Sequence, residues 1–127
     1  MLRADARYKN LEVWRLAHSF ALDVYRTTKS FPRGEEFGLT AQIRRAAVSV
    51  PTNIVEGYSR SGDKELARFI DIALGSLAEA RYLLSFSHDL GYLSEAELSN
   101  IERQAGELGS KLWRFYEKVR NKKTRRS

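Results

Sequence analysis

Residues 43–60 read IRRAAVSVPTNIVEGYSR, a stretch with helical spacing and a proline in its middle. Ile43, Ala46, Val50 and Ile54 fall on one line, while Gln42, Arg45, Ser49, Asn53 and Glu56 recur every three or four residues on another. A proline inside a helix removes a main-chain hydrogen bond and clashes with the preceding turn, at about 3 kcal/mol or more. Pro51 frees the carbonyl of Ala47 and is expected to kink this helix at Val50, with Ser49, Thr52 and Asn53 placed to bond released carbonyls. The polar line then reads as an assembly network that fixes a bent helix against its neighbours. Direct RNA contact by the same line is the alternative.

Outward from this segment the periodicity defines three more helices. The first spans about Leu11 to Ser30 and stops at SFPRGE, where Pro32 bars continuation. The second runs from about Phe37 into EGYSRSG, with Gly57 and Gly62 as stop signals. The third is expected from an N-cap at Ser61 or Asp63 to about Leu90. The fourth opens at Ser94–Glu97, SEAE, whose hydroxyl and carboxylate form a capping box, and reaches about Val119. Short connections make neighbours antiparallel, so the expected fold is all-α, an up-down-up-down four-helix bundle. Residues 1–119 form its single domain, and 120–127 a basic, disordered tail.

Charge is informative by location. Residues 118–127, KVRNKKTRRS, carry Lys118, Arg120, Lys122, Lys123, Arg125 and Arg126 and no acid, equal to the net +6 of all 127 residues. The remainder therefore sums to zero, and an anionic partner, nucleic acid above all, is implied for the tail. The absence of cysteine excludes disulfides and thiolate chemistry and suits a cytoplasmic setting. No apolar run approaches the ~18 residues of a membrane span, so no membrane partner is expected.

An enzyme is not expected. His18 and His88 have Arg15 and Ser85 three residues earlier, so the Glu-x-x-His pattern of di-iron bundles is missing. GYSRSG lacks the lysine of a phosphate loop, and no serine has an evident histidine and acid. No metal or cofactor is expected.

Three helices carry two apolar lines where a lone bundle needs one. Helix 1 has Leu11, Trp14, Ala21, Leu22 and Tyr25 against Val13, Ala17, Phe20 and Val24; helix 2 adds Ala41, Val48 and Val55; helix 3 adds Ile72, Leu83, Phe86 and Leu90. The second lines imply a homo-oligomer. Glu79 falls between Ile72 and Leu83, beside Gly75, where a helical glycine suggests close approach of another backbone. Buried there, Glu79 would need a cation, with Arg44 and Arg45 as candidates. For nucleic acid, Arg60, Lys64 and Arg68 cluster at the turn between helices 2 and 3 with Tyr58 able to stack on a base, and the tail supplies the second set.

FGLTAQIRRAAVSVPTNIVEGYSR followed by ELARFIDIALGSLAEARYLL, with YKNLEVWRLA entering helix 1, resembles the 23S rRNA intervening-sequence proteins, a four-helix-bundle family related to the accessory protein of diversity-generating retroelements. The resemblance implies a ring, typically a homopentamer, and as partners ribosomal RNA or another nucleic acid and a nucleic-acid enzyme such as a reverse transcriptase. The terminal KKTRRS lies outside it. Two functions are thereby expected: a non-enzymatic RNA-binding oligomer that includes Arg44 among its contacts, or a protein-interaction scaffold or accessory subunit without intrinsic nucleic-acid binding.

Overall fold

The computed structural model describes residues 6–126, with side chains through residue 122. A 3-10 turn at Ala6–Asn10 leads into α1 (Glu12–Thr28), and another at Arg33–Glu35 leads into α2 (Leu39–Ser59). The helices α3 (Asp63–Asp89) and α4 (Glu95–Arg126) follow, and the described residues contain no strand. Each helix packs on two others, α1 and α3 both lying against α2 and α4, so the four occupy the corners of a square. No helix among the described residues is long and apolar enough to cross a membrane.

One face of each helix fills the centre. Phe20, Val24, Ile43, Val50, Ile54, Ile70, Leu84, Ile101, Leu108 and Leu112 are sealed from solvent, each contributing roughly 1.5–3 kcal/mol by burial. In α1 the core line is Val13, Ala17, Phe20 and Val24, with Ala21 beside it, while Leu22 and Tyr25 stay exposed. The second line of α3 divides. Ile72, Phe86 and Leu90 are exposed, but Leu83 is buried at 8% exposure, which corrects its assignment to an outer face.

The capping box forms as expected: Glu97 N–H donates to Ser94 Oγ at 3.1 Å and Ser94 N–H to Glu97 Oε1 at 2.8 Å. The start of α3 differs. Its N-cap is Gly62, at φ 93° and with no side-chain cap, so neither Ser61 nor Asp63 takes that place. The positive φ favours glycine there, and Asp63 instead offers its charge to the first-turn amides.

Gly57 likewise is no stop. It lies buried inside α2, and a Cβ there would stand 2.7 Å from Phe69 Cβ, so the residue is small because α3 crosses at that point. The α2–α3 seam pairs Gln42 with Glu79, Ser49 with Ser76 and Gly57 with Phe69. Helix α2 carries Pro51 buried within it, and two of the three expected polar side chains bond carbonyls of the turn before it. Thr52 Oγ1 donates to Val48 O at 2.7 Å and Asn53 Nδ2 to Ser49 O at 2.8 Å. Ser49 instead meets the Ser76 hydroxyl at 2.8 Å.

Candidate nucleic-acid interface

The turn between α2 and α3 gathers three cations, two of them over one aromatic ring. Arg60 bonds Glu56 at 2.7 Å with its guanidinium 5.4 Å from the Phe69 ring centre. Arg68 lies 4.5 Å over the same ring and pairs with Glu65 at 3.2 Å. That hydrogen bond holds the Glu65 carboxyl below its ordinary range and raises Arg68. Lys64, between them in sequence, is exposed.

The chain's last described turns arrive at the same place. Lys122 Nζ lies 4.0 Å from Asp63, and Lys118 and Lys122 line a groove of about 270 Å³ with Tyr58, Leu66 and Phe115. Arg120 caps the Tyr116 ring at 5.6 Å and is raised by its hydrogen bond to that residue. The structure thus brings Lys118 and Lys122 to the end of the bundle that bears Arg60, Lys64 and Arg68. Lys123, Arg125 and Arg126 follow on α4, but their side chains lie outside the described residues.

Further cations at this end were not singled out from the sequence. Lys111 bonds Glu12 at 2.8 Å, which holds that carboxyl below its usual value, and Arg114 lines the neighbouring groove. A signal existed: Lys111, Arg114, Lys118 and Lys122 share one helical face. Residues 6–15, 56–68 and 111–122 carry eleven basic and five acidic side chains, a net of +6. Residues 16–55 and 69–110 carry seven and ten, a net of −3. A body of nearly balanced charge therefore carries its basic excess at this end.

The remaining predicted residues fall elsewhere. Arg44 is at the opposite end of α2, where its Nε donates to Thr28 Oγ1 at 2.8 Å and its guanidinium lies 4.5 Å over Tyr25. Gln42 Nε2 donates to Glu79 at 3.4 Å, and both are exposed. In the single chain neither arginine pairs with Glu79, which is exposed to solvent beside Gln42. Arg45 is exposed and joins none of these bonds, and Glu56 belongs to the turn through Arg60. Only Gln42, Ser49 and Asn53 of the polar line, with Glu79 from α3, join in a seam. Gly75 meets nothing within 4 Å in the single chain, and within that chain the close helix approach falls at Gly57.

His18 stacks on Trp14 with ring centres 4.8 Å apart, and His88 Nε2 lies 3.1 Å from Glu95. No group of three or more metal-ligating side chains forms among the described residues.

The model of the family described as 23S rRNA-intervening sequence protein matches residues 9–114. A solved structure, a protein of unknown function from the S23 ribosomal protein family of Bacteroides thetaiotaomicron, aligns with a TM-score of 0.76. The alignment covers 83% of this chain and 95% of that one at 21% identity, a likeness of fold. No curated protein matches the chain.

Proposed function

The chain belongs to the 23S rRNA-intervening sequence protein family, and from that premise we propose a non-enzymatic homo-oligomer that binds RNA through the basic end of its bundle. The observation that carries this reading is the meeting of Lys118 and Lys122 from α4 with Tyr58 and Asp63, at the turn that also bears Arg60, Lys64 and Arg68. Cations on a groove with an aromatic wall suit phosphates and unstacked bases, and such contacts hold RNA without reading its sequence. Ribosomal RNA is the favoured ligand on the family's name alone.

The oligomer in this reading is a ring, with five copies favoured by the family resemblance. Its support is the pair of unlike apolar faces, Leu22, Tyr25 and Val48 on the α1–α2 side and Ile72, Phe86 and Leu90 on α3, all exposed in the single chain. Two different faces meet head to tail, and such contacts generate rings when the rotation closes. The bundle is taken as antiparallel, up-down-up-down, because partners on α3 fall in number from Glu79 to Phe69 as those on α2 rise from Gln42 to Gly57. A bend at Pro51 belongs to the same reading, with Thr52 and Asn53 serving the carbonyls around it. Repetition around a ring turns modest sites into avid ones.

The test is a gel shift with structured RNA across a salt series, comparing the full chain with Lys64→Ala/Lys118→Ala. Each lost phosphate contact flattens the slope of log affinity against log salt by about 0.7–0.9, so the double variant should lose about 1.4–1.8. An unchanged slope refutes the interface. No binding at any salt leaves the scaffold reading in its place.

A further inference from the structure

At the other end of the bundle, where α1 passes into α2, a pocket of about 460 Å³ is lined by Thr28, Lys29, Arg33, Glu36, Thr40 and Arg44, among others. Thr40 is the unusual member. It is 6% exposed, and its hydroxyl, shut from solvent, meets no hydrogen-bond partner. Buried hydroxyls are almost always partnered, so an orphan hydroxyl on a residue that lines a pocket points to a missing group close by.

The surroundings state the charge of that group. Thr40 lies in the first turn of α2, whose N-cap is Gly38 and offers no side chain. The Leu39 N–H is met by Glu35 Oε1 at 3.3 Å, while among the described residues the amides of Thr40 and Ala41 find no acceptor. Unsatisfied amides and the helix dipole make such an end attractive to anions. Lys29, Arg33 and Arg44 add three cations against one acid on the wall, Glu36. The nearby Glu35 is turned to other work, its second oxygen accepting from Tyr92 OH at 3.0 Å.

The wall is also preorganised. Arg44 is clamped by bonds from Nε to Thr28 Oγ1 and from Nη2 to Tyr25 O at 3.1 Å, and Thr28 is anchored to Val24 O at 2.8 Å. Its remaining N–H groups are left for a ligand in the planar fork that suits oxyanions.

We propose that this pocket binds a phosphate group, either as the free anion or as a phosphomonoester. A tetrahedral dianion has oxygens enough for a guanidinium, a hydroxyl and helix amides together, which a carboxylate has not. The 21 residues of α2 hold this pocket about 30 Å from the basic end. The proposal therefore stands whether or not RNA binds there.

Calorimetric titration of the intact protein at constant ionic strength tests it, with inorganic phosphate in one arm and adenosine 5′-monophosphate against adenosine in the other. Saturable binding of phosphate assigns the free anion; binding of the monophosphate alone assigns the ester. In either case Lys29→Ala/Arg33→Ala and, separately, Thr40→Val should weaken binding tenfold or more, with circular dichroism unchanged. Lys64→Ala/Lys118→Ala, at the far end, should leave it intact. Binding of neither ligand overturns the proposal, as does wild-type affinity in Lys29→Ala/Arg33→Ala or loss of binding in the far-end variant.

Discussion

Gly57→Ala places a methyl group where two helices have no room for it. The new Cβ would lie 2.7 Å from Phe69 Cβ, 3.2 Å from Leu66 Cδ1 and 3.3 Å from the Leu66 carbonyl oxygen. A leucine tip can swing aside, but Phe69 Cβ and the carbonyl are fixed to the α3 backbone. Restoring an ordinary carbon–carbon separation of about 3.5–4.0 Å requires α2 and α3 to part by roughly 1 Å. Over-packing of this kind costs about 1–3 kcal/mol, and alanine returns about 1 kcal/mol through its better helix propensity. The net expectation is a loss of up to about 2 kcal/mol, against a gain of about 1 kcal/mol at an open helical site. Urea unfolding at one fixed protein concentration measures it, since association would otherwise shift the midpoint. Gly106→Ala is the control, because nothing lies within 4 Å of that helical position and it should be stabilised. If Gly57→Ala gains as much stability as Gly106→Ala, the close crossing is refuted. The crossing also seats Phe69 beneath Arg60 and Arg68, so the same variant should weaken RNA binding.

Gly75→Ala should separate folding from assembly. The site is open in the single chain, so alanine should add about 1 kcal/mol to the fold; on the proposed ring face the methyl meets the next copy, and sedimentation should show weaker association. A stabilised variant with unaltered association would remove Gly75 from the interface. Tyr92→Phe tests the tie between the α1–α2 loop and the α3–α4 turn. The hydrogen bond to Glu35 raises the Tyr92 pKa above its ordinary value of 10.0, so the protonated hydroxyl contributes stability fully present below pH ~10 and lost as pH rises through the folded value. Wild type should therefore exceed Tyr92→Phe in unfolding midpoint at pH 8, with the gap closing in alkali; a constant gap would show that the bond is not the cause.

What was legible in the sequence was local. The breaks at Pro32 and before Ser94, the reciprocal capping box and the core lines through Phe20, Ile43, Ile70 and Leu108 all follow from residues a few positions apart. Misreadings came where a residue's meaning lay on another helix. Gly57 resembled a stop because glycine is a helix breaker in its own chain, yet Phe69 is what demands it. Leu83 shares a helical face with Ile72, but burial depends on what packs beside each, and only Leu83 is covered. Glu79 is a matter of assembly, since within the single chain the seam leaves it at the edge beside Gln42.

The candidate site divides the same way. Its cations and Tyr58 were identifiable one by one, as was the basic run on α4, because charge is a property of the residue. Their meeting was not, since Lys122 and Asp63 are brought to 4.0 Å only by two helices returning to one end. Sequence alone determined that this chain makes four amphipathic helices, because helical periodicity, proline geometry and capping act within a turn or two. Tertiary structure alone decided that a body of nearly balanced charge is basic at one end, and that Thr40 faces a cationic pocket at the other, because both depend on distances between residues far apart in the chain.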